Sequence, residues 1–425
     1  MERKIEKFYQ KWKQDIIRKP LLLYGAKQIG KTFSVLDFGK KEYKNTIYFN
    51  TENNKNLLNV FKKERATEKI ILNLSLLSGE TILKEDTLII LDNVVELDII
   101  KGLKVFGSEH SKYHIIAITS KKEKLSEFKG EELQFKAMTA MDFEEYLWAK
   151  DEKSLAEIIR ESFTKKKTCP FHKVALDLFM DFLETGGLPE VIYESINGKS
   201  SNELDAIKQK IIDVYKKEIA LNNVLIDIPR GIEVLDSLPE QLKKDNKKFQ
   251  YGLMGTGKRA KEYESTINYL INNQIVIRSN KISKIKSPLS SCKEKDSFKL
   301  YANDEGLLYT MLHLNKKQLL TDEKIKEVLY ENHLASTLSD GGYTLYYYQS
   351  EGKAEVNFVV QNRNGQIIPI ELTTRSNSKA KSLAVLMKKF TIIQAYRITE
   401  NNFSTKKEIR YIPVYAAFCL KDNQA

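Results

Sequence analysis

The chain has 425 residues, 42% of them hydrophobic, which is enough for two or three domains with cores of their own. Lys and Arg outnumber Asp and Glu by 69 to 57, and the net charge of +12 suits a polyanionic partner, although lysine-rich solvated faces give the same sum. Three widely spaced cysteines, the lack of a signal-peptide core and the lack of an apolar run near the roughly 20 residues of a membrane span predict a soluble cytoplasmic protein.

The first part of the chain alternates between apolar runs and helical patterns. Residues 1–19 have helical apolar spacing, and Pro20 ends that predicted helix. The predicted strands that follow are "LLLY" (21–24), "NTIYFN" (45–50), "TLIILD" (87–92), "YHIIAITS" (113–120) and "LQFKAM" (133–138). Near-continuous apolar strands separated by helices are typical of a parallel sheet covered on both faces. We therefore predict an α/β domain over residues 1–150.

The pattern of predicted secondary structure changes twice in the rest of the chain. Residues 151–225 predict a helical linker or lid region, interrupted by "TGGLPE" (185–190). Residues 226–312 combine helices with a hairpin-like pair of strands, which predicts a winged-helix-like region. Strand patterns and one crossing helix dominate residues 313–425, which predicts a second α/β domain.

The segment "GAKQIGKT" (25–32) matches the pattern G-x-x-x-x-G-K-[ST] and lies between a predicted strand and a predicted helix. Its glycines let backbone N–H groups surround phosphate oxygens, and the helix N-terminus adds positive potential. We expect Lys31 to reach the β- and γ-phosphates and the Thr32 hydroxyl to ligate Mg²⁺. The plain alternative is a glycine turn, which motif and context together disfavour. The predicted nucleotide-binding residues are Gly25, Ala26, Lys27, Gln28, Ile29, Gly30, Lys31, Thr32 and Phe33.

A second part of the predicted site lies at the ends of other strands. Asp92 follows four apolar residues and is the expected Mg²⁺ partner of Thr32, since the carboxyl ends of parallel strands share one edge. The strand "YHIIAITS" should lie between the other two and bring Thr119 or Ser120 near the γ-phosphate. The alternative for Asp92 is an ordinary surface acid at a strand end.

The residue after Asp92 is an amide, Asn93, where a nucleotide hydrolase needs a carboxylate to polarise the attacking water. An amide can position a water but cannot accept its proton. Glu52, after the neighbouring predicted strand, is the first candidate substitute, although it also fits a simple loop acid; Glu96 is the second. The predicted catalytic residues are Lys31, Asn93 and Glu52.

The ordered motifs resemble a large prokaryotic family of single-chain ATPases, in which an AAA-like P-loop module precedes a C-terminal domain of restriction-endonuclease-like fold. The matching segments are the N-terminal helix before the glycine-lysine loop, "GAKQIGKT" (25–32), "IYFNTEN" (47–53), "LIILD" (88–92), "MTAMDFEEYL" (138–147), "TGGLPEVI" (185–192), "VYKKEIA" (214–220), "YANDEGLLY" (301–309), "YENHLASTL" (330–338) and "AEVNFVV" (354–360) with "IIPIELTT" (367–374). The resemblance implies a P-loop NTPase sheet of AAA/ASCE type, ATP binding and ATPase activity. It also marks two departures, since the family usually has Arg at Lys27 and Glu at Asn93.

The same resemblance bears on the C-terminal domain. Nuclease-fold domains hold Mg²⁺ between an acid on one strand and an E-x-K on the next. The family patterns read EVDF and IEVK, whereas this chain has "EVNF" and "IELT", with Asn357 and Thr373 in the altered places. Glu331, Glu355 and Glu371 could still bind a cation, but the lysine that activates water is missing. We therefore expect an endonuclease-like fold with a degraded site and no DNA cleavage.

Two further features of the sequence lie in the middle of the chain. The segment "GLMGTGKR" (252–259) repeats the glycine-lysine spacing, but it ends in Arg259 and follows no buried strand, so we interpret it as a glycine-rich loop entering a helix. The basic segments "GKRAKEYESTINYLINNQ" (257–274) and "IVIRSNKISKIKSP" (275–288) allow a DNA contact or only a packing surface.

The function predicted from these features is a slow Mg²⁺-dependent ATPase that uses its nucleotide state to control domain arrangement. The alternative is a hydrolysis-deficient ATP-gated binding protein that contacts DNA. The lack of an Asn-Lys-x-Asp guanine motif favours adenine. The sequence leaves protein partners open and allows a homo-oligomer.

Overall fold

The structure is a computed structural model. It describes residues 1–64, 66–107, 112–121, 132–220, 228–350, 355–374 and 381–424. The chain divides into two compact units, Met1–Thr139 and Ala140–Ala425. The first unit thus ends eleven residues before the predicted boundary at 150, and the three segments predicted after that boundary all belong to the second unit.

The first unit is built on a parallel sheet of five strands, as predicted. The strands are β1 (Leu21–Tyr24), β2 (Asn45–Asn50), β3 (Thr87–Asp92), β4 (His114–Thr119) and β5 (Gln134–Ala137). They lie in the order β2-β3-β4-β1-β5, and every pair is parallel. β4 therefore lies between β1 and β3, which confirms the predicted order. The sheet has the α/β fold of a P-loop NTPase, with β2 beside β3 and Asn50 opposite Asp92.

The helices that follow the first strand fill crossovers between parallel strands, and one helix precedes that strand. They are α1 (Ile5–Gln14), α2 (Lys31–Glu42), α3 (Lys55–Lys63), α4 (Thr67–Ser78) and α5 (Leu97–Leu103). Every residue of β3 and β4 is buried, because helices cover both faces of the sheet at these central strands. In the edge strand β2, Ile47 and Phe49 enter the core while Tyr48 and Asn50 are exposed, since successive side chains point to opposite faces.

The second unit has helices both before and between its strands. They are α6 (Phe143–Ala149), α7 (Lys153–Lys165), α8 (His172–Thr185), α9 (Pro189–Ile196), α10 (Ser201–Ala220), α11 (Ile228–Lys243), α12 (Ala260–Asn272), α13 (Glu305–Met311), α14 (Lys316–Thr321), α15 (Glu323–Asp340) and α16 (Lys381–Phe390). The predicted "TGGLPE" interruption is the turn between α8 and α9, where Gly186 has a φ of +79° and Pro189 begins the next helix.

Eight strands of the second unit form one sheet. They are β6 (Val276–Ile282), β7 (Lys293–Ala302), β8 (Leu345–Gln349), β9 (Glu355–Gln361), β10 (Ile367–Leu372), β11 (Ala395–Thr399), β12 (Ser404–Lys406) and β13 (Ile409–Pro413). Their order is β12-β13-β11-β10-β9-β8-β6-β7. β6 and β7 are antiparallel, as the hairpin-like pattern predicts, but β6 also pairs with β8. The two strands expected to form a wing are thus one edge of this larger sheet.

Long apolar helices of the membrane-spanning kind do not occur in the part of the chain that the structure describes.

Candidate functional site

The glycine-lysine loop joins β1 to α2 at the carboxyl edge of the first sheet. Its turn requires left-handed backbone conformations at Gln28 (φ +64°) and Gly30 (φ +86°). Glycine adopts such a conformation at little energetic cost because it has no Cβ. The loop begins against the neighbouring strand, because the Gly25 N–H donates to the Thr119 carbonyl at 3.3 Å. α2 then starts at Lys31, so the N–H groups of its first turn face the loop. The predicted loop residues therefore form one continuous turn that leads into the first turn of α2.

Lys31 folds back over this turn. Its ammonium group donates to the carbonyl oxygens of Gly25 at 2.9 Å and Ala26 at 2.5 Å, and the side chain is buried. The positive charge thus lies inside the curve of the loop. Phe33 points outward instead and is 67% exposed, so of the predicted nucleotide-binding set it has the most apolar surface in contact with solvent.

Asp92 is buried at the end of β3 and accepts three hydrogen bonds. The Thr32 hydroxyl donates to Oδ2 at 2.8 Å, and the Asn93 N–H donates to Oδ1 at 2.8 Å. The Tyr48 hydroxyl also donates to Oδ2, at 2.9 Å. Partial burial and the neighbouring Asp92 raise the pKa of Tyr48 to about 12, so the hydroxyl is a donor at neutral pH. The structure thus brings together Thr32 and Asp92, the two residues predicted to hold Mg²⁺.

Tyr48 is a site residue that the motif search misses. It lies 44 positions from Asp92 in the sequence, and only strand pairing brings the two together. The period-two pattern of "NTIYFN" could have placed Tyr48 on the face away from Ile47 and Phe49. The register between β2 and β3, however, is a property of the fold.

Asn93 has a left-handed backbone with a φ of +59°, and its neighbours on β2 fix it. The Thr51 hydroxyl donates to the Asn93 carbonyl at 2.8 Å, and the Asn93 side-chain amide donates to Asn50 Oδ1 at 3.3 Å. Glu52 is exposed in the next turn, where its N–H also donates to Asn50 Oδ1, at 2.9 Å. Of the two carboxylates considered as substitutes, Glu52 is therefore close to the Asn50–Asn93 pair, whereas Glu96 precedes helix α5.

Thr119 ends β4 beside the loop, where its hydroxyl accepts the N–H of Lys121 at 3.0 Å. Its carbonyl holds Gly25, as described above. Thr119 is buried, and Ser120 is the first residue after the strand. The predicted neighbourhood of these two residues and the loop is therefore present, with Thr119 acting through its backbone on the loop.

In the second unit, Glu331 of α15 is completely enclosed by polar partners. Lys247 and Lys299 donate to its two oxygens at 2.7 and 3.0 Å, and the Tyr301 hydroxyl donates at 2.7 Å. The Asn357 amide adds a fourth hydrogen bond at 3.1 Å. Burial alone would raise the pKa of Glu331, but the two ammonium groups hold it well below its ordinary value.

The other two carboxylates of this predicted cluster are also paired with cations of the chain itself. Lys299 donates to Glu355 at 2.6 Å in addition to Glu331. Arg397 donates two hydrogen bonds to Glu371, one of them from Nε at 2.9 Å. The described residues contain no group of three or more His, Cys, Asp or Glu side chains arranged to hold a metal. Lysine and arginine side chains therefore neutralise the carboxylates that could have bound a cation.

The second glycine-lysine segment is arranged differently from the first. A 3₁₀ helix, Tyr251–Met254, precedes its turn, and α12 begins after it at Ala260, so it is a loop entering a helix as predicted. Lys258 donates to Glu233 at 2.9 Å. A lysine committed to a carboxylate is not placed for a phosphate.

Three family models match parts of the chain. Residues 17–147 match the "AAA domain" family, residues 176–318 match a "Domain of unknown function (DUF8612)" and residues 326–417 match a "Domain of unknown function (DUF4143)". The first match supports a P-loop ATPase of AAA type and confirms that part of the predicted resemblance. The endonuclease-like identity of the C-terminal residues stays a prediction.

Solved structures also match the chain, all at low identity. The Walker-type ATPase of Pyrococcus abyssi is 12% identical, with a TM-score of 0.42 over 74% of this chain and 96% of that one. A signal transduction ATPase with numerous domains and a tetratricopeptide repeat sensor, from Pyrococcus horikoshii, is 12% identical, with a TM-score of 0.27 over 78% and 45%. The Hef helicase domain of Pyrococcus furiosus is 14% identical, with a TM-score of 0.17 over 67% and 81%. No curated protein matches the chain. Identities and scores this low transfer no function.

Proposed function

We propose that this protein binds ATP with Mg²⁺ and hydrolyses it slowly, and that its nucleotide state controls domain arrangement. The observation that carries the proposal is the hydrogen bond between Thr32 and Asp92 beside the glycine turn. A hydroxyl at the start of a helix and an acid at the end of a nearby strand are the protein groups that hold Mg²⁺ in P-loop NTPases. The AAA match over residues 17–147 supports the same function.

The residues present fit a magnesium nucleotide. The N–H groups of residues 25–33 would cradle the phosphates, and the Lys31 ammonium, now bonded to loop carbonyls, would pair with phosphate oxygens instead. Thr32 and Asp92 would hold the cation. When bound, Mg²⁺ neutralises charge on the phosphate oxygens. The remaining work of this chain is to orient the phosphates and exclude bulk water from the loop.

Slow turnover follows from the residue beside Asp92. The side chain of Asn93 donates to Asn50, and its amide has no basic group with which to take a proton from water. The Glu52 backbone N–H donates to Asn50 Oδ1 of this pair, and the residue lies exposed in the turn after β2. We therefore assign Glu52 as the general base of a slow reaction, with Asn93 as an orienting group.

The test measures ATP binding and steady-state hydrolysis on one preparation, with Lys31→Ala as the control. Binding with turnover that Lys31→Ala abolishes is the expected result. Binding without turnover would favour the alternative function, an ATP-gated binding protein that does not hydrolyse its ligand. If the wild-type chain showed neither binding nor turnover, the proposal would be wrong.

A second candidate function is contact with a polyanion such as DNA at the β6–β7 hairpin. Four lysines in this segment are exposed, and none of them has an ion-pair partner among the described residues: Lys284, Lys286, Lys293 and Lys295. Partial burial and the charge of Arg278 lower the pKa of Lys293, so cations already repel each other here. Unpaired lysines on one hairpin favour phosphate contacts that read no sequence.

The measurement for this candidate is binding of a fluorescent DNA duplex as a function of salt. Because each neutralised phosphate contributes about 0.9 to the slope of log K against log salt, Lys284→Ala with Lys286→Ala should weaken binding and flatten that slope by nearly two. A matched double variant at Lys41 and Lys165, exposed lysines paired with acids elsewhere, should bind as the wild type does. Equal affinities of all three proteins would argue against the hairpin.

We do not propose nuclease activity, because cations of the chain neutralise Glu331, Glu355 and Glu371. Plasmid DNA incubated with the protein and Mg²⁺ or Mn²⁺ should stay supercoiled. Nicking by the wild type that Glu371→Ala abolishes would contradict this expectation.

A further inference from the structure

We infer that Tyr48 is a positioning residue that fixes Asp92 for Mg²⁺, an inference that rests on the proposed function. The residue has no place in the glycine-lysine motif or in the strand that carries Asp92. It belongs to β2, the edge strand of the first sheet, and its hydroxyl reaches across to Asp92 Oδ2. Tyr48 thus completes the support of the metal-binding acid from a third element of the fold.

The geometry around Asp92 leaves its carboxylate little freedom. Three donors from three elements bind it: Thr32 from α2, Tyr48 from β2 and the Asn93 N–H from the turn after β3. The two side-chain donors share Oδ2, which places the Tyr48 and Thr32 hydroxyls next to each other. A carboxylate offers about four acceptor positions, so these three bonds leave one for a metal-bound water.

The Tyr48 bond supports Asp92 in a different way from the Thr32 bond. The Thr32 hydroxyl would ligate Mg²⁺ through its oxygen while its O–H still donates to Asp92, whereas the Tyr48 hydroxyl orients the carboxylate without being a predicted metal ligand. Groups that hydrogen-bond to metal-binding carboxylates set their orientation, and their removal costs about 10- to 100-fold in metal affinity.

A tyrosine on an edge strand could instead serve only to cover the sheet. Its ring is 41% exposed, so it buries modest apolar area there. A purely structural role would lower stability without changing how much Mg²⁺ the site requires. The Mg²⁺ dependence of nucleotide binding therefore separates the two roles.

The experiment titrates Mg²⁺ into the full-length protein with a fluorescent ATP analogue and compares Tyr48→Phe with the wild type. We expect the variant to need about tenfold more Mg²⁺ for half-maximal binding, with unchanged binding in EDTA because Tyr48 faces the acid and not the loop. The matched control is Tyr113→Phe. Tyr113 also donates its hydroxyl to a carboxylate, that of Glu68 at 3.0 Å, but it precedes β4 at the other end of the strands.

A second variant tests that Tyr48 acts through Asp92. In an Asp92→Asn background, Tyr48→Phe should have little further effect on the Mg²⁺ requirement, since residues that act as a unit are not additive. Equal Mg²⁺ requirements for the wild type and Tyr48→Phe would overturn the inference while leaving the proposed function in place. No nucleotide binding by the wild type, with or without Mg²⁺, would overturn the proposed function and this inference together.

Discussion

Two residues of the neighbouring strand segment hold Asn93. The Thr51 hydroxyl donates to the Asn93 carbonyl, and the Asn93 side-chain amide donates to Asn50. The left-handed backbone at Asn93 suits an asparagine, whose short polar side chain tolerates that conformation better than most. The amide is therefore built into the edge of the site. It can direct a water molecule but cannot remove its proton.

Replacement of this amide by a carboxylate should speed hydrolysis. We expect Asn93→Glu to raise steady-state ATP turnover by about 100-fold, the lower end of what a positioned general base contributes. The matched control is Asn53→Glu, because Asn53 is an exposed asparagine of the same unit with a nearly identical φ of +60°. Both variants carry the strain of a glutamate in a left-handed conformation, roughly 1–2 kcal/mol, but only one places it beside Asp92. Unchanged turnover in Asn93→Glu would show that residue 93 does not limit the reaction.

The buried ion network of the second unit gives another residue-level prediction. Lys299 is the shared partner of Glu331 and Glu355, and their two charges keep the pKa of Lys299 raised although burial alone would lower it. Lys299→Met should lower the free energy of unfolding by about 3–5 kcal/mol, since it removes a cation from Glu355 and leaves the buried Glu331 with Lys247 as its remaining ammonium partner.

Its control is Lys316→Met. Lys316 pairs with one carboxylate, that of Asp181, and both side chains are about half exposed. Exposed pairs contribute about 0–1 kcal/mol. Urea denaturation of the two variants compares the losses directly. A similarly small loss of stability in both variants would mean that the ion pairs around Glu331 stabilise the fold no more than an exposed pair does.

At the residue scale, the sequence predicts what short motifs encode. Thr32 and Asp92 are predicted because the loop pattern and the parallel-strand rule together fix where both lie. Tyr48, Lys247 and Lys299 are not predicted, because each meets its partner across 32 to 84 positions of the chain. No local pattern distinguishes a lysine that neutralises a buried acid from one that faces water.

At the scale of elements, one turn explains two of the motifs that sequence reasoning left without a role. The turn after α8 and the start of α13 pack together, and the Gly187 N–H donates to Asp304 Oδ2 at 2.7 Å. Burial, with the charge of Glu305 beside it, raises the pKa of Asp304 to about 7. "TGGLPE" and "YANDEG" are thus the two halves of one packed contact.

Gly306 tests how tight this contact is. A Cβ there would lie 2.4 Å from the Thr185 carbonyl oxygen, which belongs to the backbone and cannot rotate away. Glycine to alanine within a helix normally stabilises by about 1 kcal/mol, but overpacking costs about 1–3 kcal/mol, so we expect Gly306→Ala to destabilise the second unit. Gly252→Ala is the control, because nothing lies within 4 Å of its Cβ position. Thermal unfolding of both variants gives the comparison, and equal midpoints would contradict the close approach.

Strands that a local sequence pattern encodes are predicted, whereas pairing between distant strands is not. The strands of the first sheet are predicted to within a residue or so, because each is a buried apolar run with helices on either side. The hairpin of β6 and β7 is also visible in the sequence. Its pairing with β8 is not, because that contact joins Ser279 to Leu345 across β7 and the three helices α13, α14 and α15. β11 and β12 are short and lack a distinctive pattern, and the sequence does not predict them.

At the scale of the whole molecule, the proposed chemistry lies in the smaller unit, Met1–Thr139, while Ala140–Ala425 contains the enclosed ion network and the basic hairpin. A nucleotide can change the arrangement of the molecule only by as much as its affinities for two arrangements differ. The proposal that nucleotide state controls domain arrangement therefore requires that ATP and Mg²⁺ have an effect beyond the first unit.

Hydrogen exchange measures that effect directly. With ATP and Mg²⁺, we expect slower exchange over residues 25–33, because bound phosphates would engage the N–H groups of the loop, and altered exchange in segments of the second unit. Lys31→Ala should abolish both changes, since coupling must pass through the same site. Protection confined to the first unit would leave ATP binding intact but contradict control of arrangement. The second unit would then be independent of the nucleotide, because a ligand that binds two arrangements with equal affinity does not change their populations.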